Sequence, residues 1–310
     1  MNFMKIMGGQ LKNRDYRIKI DDFTDGVYVY ALGFIKKILI ANVLGHITQE
    51  IFAINLNEAT SSILWLGSIC YSLQLYYDYS DMAIGIGKIF GFNCKQNFNY
   101  PYMTKSISEF WRRWHISLGS WFKDYVYFPL GGSRVKSKMK LYFNLLVVWL
   151  LTGIWHGADW TFVVWGIYHG VLTMLETVLV KDKKDKNAGK EADSARSVIR
   201  VLGHIYTLLA VMIGFVIFRA DSMRQAVHFI ASMFSFGATA VGTMTAVSVM
   251  SPLFIITLII AAVACTPVLR MLPKNAVTRL LGMVLTIILY MLCIMEIAAG
   301  SYNPFIYFRF

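Results

Sequence analysis

Apolar runs separated by short charged stretches dominate the chain, and several reach the roughly 20 residues that a helix needs to cross a hydrocarbon layer. The first run covers 27–47 and carries Lys36 and Lys37 near its middle. Ammonium groups there must reach the interface or meet polar company, so a tilted or partly embedded helix is predicted. A cleaner span covers 61–77. In the next stretch Asp78 and Asp81 precede Gly85, Gly87 and Gly91, a pattern that predicts a re-entrant or broken helix packed on protein rather than lipid. Runs at 141–154 and 160–180 flank the turn WHGADW at 155–160. Further spans are expected at 201–218, 252–269 and 276–297, with an amphipathic piece at 222–234. Polar residues 1–25 and the aromatic tail NPFIYFRF, 303–310, suit the membrane interface.

With 56% hydrophobic residues among 310 and a mean hydropathy of +0.52, the chain reads as an all-α, multi-pass membrane protein of the cell membrane. No linker or fixed-period repeat divides it, so 1–310 is expected to form one membrane unit. No cleavable signal peptide is visible in the first 30 residues. The net charge of +12 comes from short loops between spans, as the positive-inside rule requires, and excludes nucleic acid as a partner. The basic loop 134–140 and the lysine-rich, disordered-looking insert 181–197 bracket one pair of spans, which places both on the cytoplasmic side. Cys70, Cys94, Cys265 and Cys293 are too scattered for a metal or redox motif, and no metal site is expected.

One charged run departs from this pattern: SISEFWRRWHISLGSWFKDYVYFPLGGSR, 106–134. Its apolar residues recur at helical spacing, which fits an interfacial helix whose basic face meets lipid phosphates. The alternative is that Arg112, Arg113 and His115 line an internal cavity and hold an anionic or carbonyl-bearing group. His156 stands between Trp155 and Gly157, with Gly153 a turn earlier and Asp159 just beyond. Glycines permit close approach, the tryptophans limit water, and a neutral imidazole there is a candidate general base. His169, in WGIYHG, reads as a histidine satisfied by helix packing, through a backbone carbonyl. No GxSxG elbow, Walker loop, HExxH or acidic metal box is present. A base without its own nucleophile points to activation of a substrate hydroxyl.

The runs EFWRRWHISLGSWFKDYVYFPLGGSR and LLTGIWHGADWTFVVWGIYHG, with the final NPFIYFRF, resemble the membrane-bound O-acyltransferase (MBOAT) family. Within it the likeness is to the alginate O-acetyltransferase type, related to the D-alanyl transfer protein of teichoic acid modification. The resemblance implies a helical ring around a thin core with a transmembrane tunnel. It implies catalysis by the histidine at position 156 and a further role for the one at 115; from the residues themselves, a substrate site drawn from Trp111, Arg112, Arg113, Trp155 and Asp159 is expected beside them. It also implies a cytoplasmic thioester donor, acetyl-CoA or an acyl carrier protein, as co-substrate rather than bound cofactor. The acceptor would be an extracellular or cell-wall polysaccharide, reached through a periplasmic or extracellular acetyltransferase-type partner. Relatives carry membrane segments ahead of the region matching Lys12, so the chain is expected to lack N-terminal spans. YYDYSDMAIG is also a few residues shorter than the glycine-containing version in many relatives.

An O-acyltransferase is therefore the leading expectation, transferring acetyl in preference to aminoacyl groups. A transporter or flippase would also use intramembrane charge and broken helices, but the hydropathy does not divide into two similar halves. An inactive scaffold that anchors partner proteins is the third reading.

Overall fold

The computed structural model describes residues 19–186, 193–235, 249–271, 273 and 275–300. The interfacial readings of 1–18 and of the tail 303–310 lie outside them. Among the described residues every regular element is helical. Five helices are long and apolar enough to cross a membrane: Ile20–Phe52, Lys138–His156, Trp160–Val178, Val198–Arg219 and Ala276–Ala298. The described residues divide into two compact units, one from 97–230 and the other from 19–96 with 231–300.

In the second unit, α1 (Ile20–Ile35) continues through a π-helical turn at Lys36–Ala41 into α2 (Asn42–Phe52). The run expected at 27–47 is thus one longer helix, because the charged residues at its ends continue the hydrogen-bond ladder. The mid-helix lysines have their polar company. Lys37 is 2% exposed, with its Nζ 3.5 Å from Asp78 Oδ1 and over the Tyr79 ring. Lys36 Nζ lies 2.6 Å from Asp81 Oδ2.

The run expected to span at 61–77 forms α3 (Ser61–Tyr76), which at 16 residues is not among the five spanning helices, and the glycine-rich stretch forms the short α4 (Ser80–Ile89). As its composition predicts, α4 packs on protein: a Cβ on Gly26 would sit 2.7 Å from Ile89 N, and one on Gly85 would be as close to Tyr30 Cα. Small residues let the two backbones approach.

The first unit holds α5 (Ile107–Arg113), α6 (Ile116–Phe122), α7 (Lys138–His156), α8 (Trp160–Lys186) and α9 (Asp193–Arg219). The amphipathic segment is α10 (Met223–Met233), which buries Ala226 and Phe229 and exposes Val227. α11 (Pro252–Ala264) and the long, largely exposed α12 (Ala276–Ala298) belong to the second unit. There Cys293 packs with Ile35 and Ile38.

α7 and α8 form an antiparallel hairpin. A Cβ on Gly153 would lie 2.5 Å from the Phe162 carbonyl oxygen, and Gly170 packs on Trp149. This brings the basic loop before α7 and the lysine-rich end of α8 to the same end of the pair. The disordered-looking insert needs correction. α8 runs on to Lys186 and α9 starts at Asp193, because lysine is a good helix former and extending an existing helix costs little. Residues 187–192 lie outside the described set.

Candidate active site

The charged run at 106–134 is not one continuous helix. α5 ends at Arg113, Trp114 is extended, and His115 adopts φ 44°, ψ 53° before α6 begins. A non-glycine residue in this left-handed region is uncommon and is retained where surrounding structure imposes it. Asn97 and Asn99 impose it here. The Asn97 carbonyl accepts from Ile116 N at 3.0 Å, and Asn99 N donates to Arg113 O at 2.9 Å. Asn97 Oδ1 accepts from Ser117 N at 3.1 Å. A π-helical turn at Lys123–Tyr127 follows α6; such turns are frequent at functional sites.

His156 is the last residue of α7. Gly157 ends the helix at φ 154°, where a Cβ would strike the Phe162 ring. The Asp159 carbonyl accepts from Phe162 N and begins α8. His156 therefore sits where one helix stops and the chain turns back. Its ring lies 4.8 Å from Trp155, 5.3 Å from Trp165 and 5.0 Å from Phe218. The His115 ring lies 6.1 Å from the same Trp155 indole. Trp155 is 49% exposed, so the pair has an open side.

The His115 ring is enclosed on the other side: its Nδ1 has no hydrogen-bond partner. Burial holds its pKa below the ordinary imidazole range, which favours the neutral form.

An aromatic cluster backs the site. Trp111, Trp149, Trp165 and His169 meet edge-to-face or tilted, with centroids from 4.8 to 6.2 Å apart. His169 is fully buried, as the packing reading expects. Its partner, however, is a side chain: Trp111 Nε1 donates to His169 Nδ1 at 3.2 Å. Trp165 Nε1 is enclosed and without a partner.

The remaining candidates are dispersed. Arg113 is paired with Glu109 at 2.6 Å, Arg112 is exposed and its Nε donates to Ser108 O, and Asp159 is exposed on the turn. The sequence reading missed Trp149, Trp165, Phe218 and Glu176. The signal for the first two was their spacing: Trp149 precedes His156 by seven residues, and Trp165 precedes His169 by four, which puts each on one helix face with a histidine. No group of three or more metal-ligating side chains is found among the described residues.

A sequence model of the membrane-bound O-acyltransferase family matches residues 1–213. The chain belongs to this family. It is a multi-pass helical membrane protein, as the family assignment and the spans agree. Among its relatives is a Pseudomonas putida protein named probable alginate O-acetylase AlgI, 36% identical over 97% of this chain and 64% of the relative. An Azotobacter vinelandii protein of the same name is 45% identical over 70% of this chain and 42% of its own length. A Bacillus subtilis teichoic acid D-alanyltransferase is 31% identical over 47% of this chain and 39% of the relative. The chain thus spans less than two thirds of the length of each.

Proposed function

We propose that the chain is the acyl-transferring part of a membrane O-acetyltransferase. It would carry an acetyl group from a cytoplasmic thioester toward hydroxyls of an extracellular or cell-wall polysaccharide. The observation that carries this reading is the setting of His156: a helix-terminal imidazole walled by Trp155, Trp165 and Phe218, with the His115 imidazole meeting the same Trp155 indole. Such a base takes the proton of an acceptor hydroxyl as the oxygen attacks the thioester carbonyl. The tetrahedral adduct then expels thiolate, which recovers the proton from the imidazolium. Proton transfer of this kind contributes about two to four orders of magnitude, and the walls supply orientation and exclude water.

His115 Nδ1 and Trp165 Nε1 are unspent groups beside this base, suited to polar atoms of donor or acceptor. Trp111 supports the wall through His169. Arg112 is better placed than Arg113 to meet an anionic donor, because Glu109 already occupies the latter. Acetyl-CoA and an acyl carrier protein both fit as donor, and a periplasmic acetyltransferase-type partner fits as the recipient on the far side.

Acetyl is favoured over D-alanyl because the alginate O-acetylase relatives are the more similar, at 36–45% against 31% identity, over more of the chain. The deciding experiment deletes the gene, restores it, and measures acid released from surface polymer by mild alkali. Acetate that disappears on deletion and returns with the gene supports the proposal. Alanine in its place supports the second reading, and no change in either sinks both.

A further inference from the structure

α5 carries Trp111 and ends one residue before Trp114 and His115, yet it is only seven residues long and cannot hold its own position by helix propensity. Its N-terminal amides are buried, with Ile107 fully enclosed. The first amides of a helix lack partners within it. Here each has one. Ile107 N donates to Glu176 Oε1 at 2.6 Å, and Ser108 N donates to Glu176 Oε2 at 2.8 Å. The Ser108 hydroxyl adds a third bond to the same oxygen at 2.7 Å. Glu109 N is taken by Ser106 Oγ and Phe110 N by Ser106 O.

Glu176 belongs to α8, seven residues beyond His169, so the two stand on one face about 10.5 Å apart along the helix axis. One receives the N-terminus of α5 and the other the Trp111 indole from its second turn. α5 is clamped to α8 at two points. The far end of the clamped helix delivers His115 to Trp155, the indole that also meets His156.

We infer that Glu176 is a positioning residue for the acyl-transfer site: its carboxylate, placed on the dipole of α5 and taking three hydrogen bonds, fixes where His115 stands relative to His156. A carboxylate in a membrane span is costly unless fully hydrogen-bonded, and both of its oxygens are committed to α5. The assignment rests on the reading of His115 and His156 as the reacting pair, but its test does not need that reading to hold.

The test is the rate at which diethyl pyrocarbonate modifies individual histidines of the full chain in native membranes, followed by mass spectrometry, with exposed His228 as internal reference. Glu176→Gln can offer only one acceptor oxygen to the three donors. Losing hydrogen bonds to a charged group should raise local opening, and with it modification of His115, on the order of tenfold. His228 should be unaffected. Ser108→Ala, which removes one bond and spares both amide contacts, should give about a threefold rise and remains informative if the Gln variant accumulates poorly. An unchanged His115 rate in Ser108→Ala, or in a well-accumulated Glu176→Gln, overturns the inference. Equal acceleration at every histidine also overturns it, since that reports general loosening. Because the readout is chemical modification, it stands apart from any failure to find acyl transfer.

Discussion

Trp111 gives its indole proton to Nδ1 of His169 at 3.2 Å, inside an aromatic cluster with no solvent access to the imidazole. The bond fixes the tautomer of the neutral ring, since Nδ1 must accept and Nε2 must carry the hydrogen. Nε2 faces Gly214, where a Cβ would come within 2.5 Å of it. This geometry suits a structural acceptor.

His169→Gln should therefore retain substantial acyl transfer, because an amide oxygen can take the indole proton. His169→Phe leaves that buried donor unpaired, which costs about 1–3 kcal/mol and should lower membrane abundance or thermal stability in detergent. Full loss of transfer in a well-accumulated His169→Gln would show instead that the imidazole itself takes part.

His156→Gln keeps volume and hydrogen-bonding capacity but removes the basic nitrogen. Ester-linked acyl released from surface polymer should fall by about two to four orders of magnitude at unchanged protein level. Near-normal release would remove His156 from the mechanism.

Arg112 and Arg113 should separate. Arg113 has a carboxylate partner in Glu109, whereas Arg112 is exposed and bonds a backbone carbonyl of its own helix. Arg112→Ala should weaken donor use, read as a raised apparent KM for the thioester in membrane vesicles. Arg113→Ala should act mainly on abundance. Equal donor KM in wild type and Arg112→Ala would return that side chain to a lipid-facing role.

The ion pair of Lys37 with Asp78 is almost wholly enclosed. Removing one partner from a buried pair strands the other charge, so Lys37→Met alone should cost about 3–5 kcal/mol, and the double variant Lys37→Met/Asp78→Leu should recover most of it. Lys36→Met breaks a half-exposed pair and should cost under about 1 kcal/mol. Thermal unfolding in detergent reads all three, and additive losses in the double variant would contradict the pairing.

A cysteine replacing Lys136, in the basic loop ahead of α7, should resist a membrane-impermeant thiol reagent in intact cells and label after permeabilisation. Ready labelling of intact cells would invert the topology.

The five spanning helices, the all-helical class and the family were legible because hydropathy and the two long motifs are local signals, whereas the runs at 61–77 and 252–269, also expected to span, form helices of only 16 and 13 residues. Lys36 and Lys37 announced a need for polar partners, and Asp78 and Asp81 were visible in the same reading, but nothing in the spacing joined them across 45 residues or so. His156 stood out by its glycine and tryptophan neighbours. Trp165 and Phe218 did not, since an aromatic residue in a span usually serves packing, and only the crossing of α8 with α9 brings them to the imidazole. The left-handed turn at His115 was hidden for a different reason: helical spacing continues through it, and the groups that break the helix, Asn97 and Asn99, precede it by more than a dozen residues. Glu176 was overlooked as a single charge near the end of a span.

The π-helical turn at Lys36–Ala41 makes one long helix tolerant of a specific length change. Such a turn holds one residue more than an α-helix would over the same rise. Deleting a residue within 36–41 would restore regular winding and leave both flanking faces pointing as they do now. The same deletion anywhere else between Ile20 and Phe52 would turn everything beyond it by about 100°. The two adjacent lysines reach two different aspartates from this overwide turn, so a homologue one residue shorter here would be expected to have given up one of the pairs together with its aspartate.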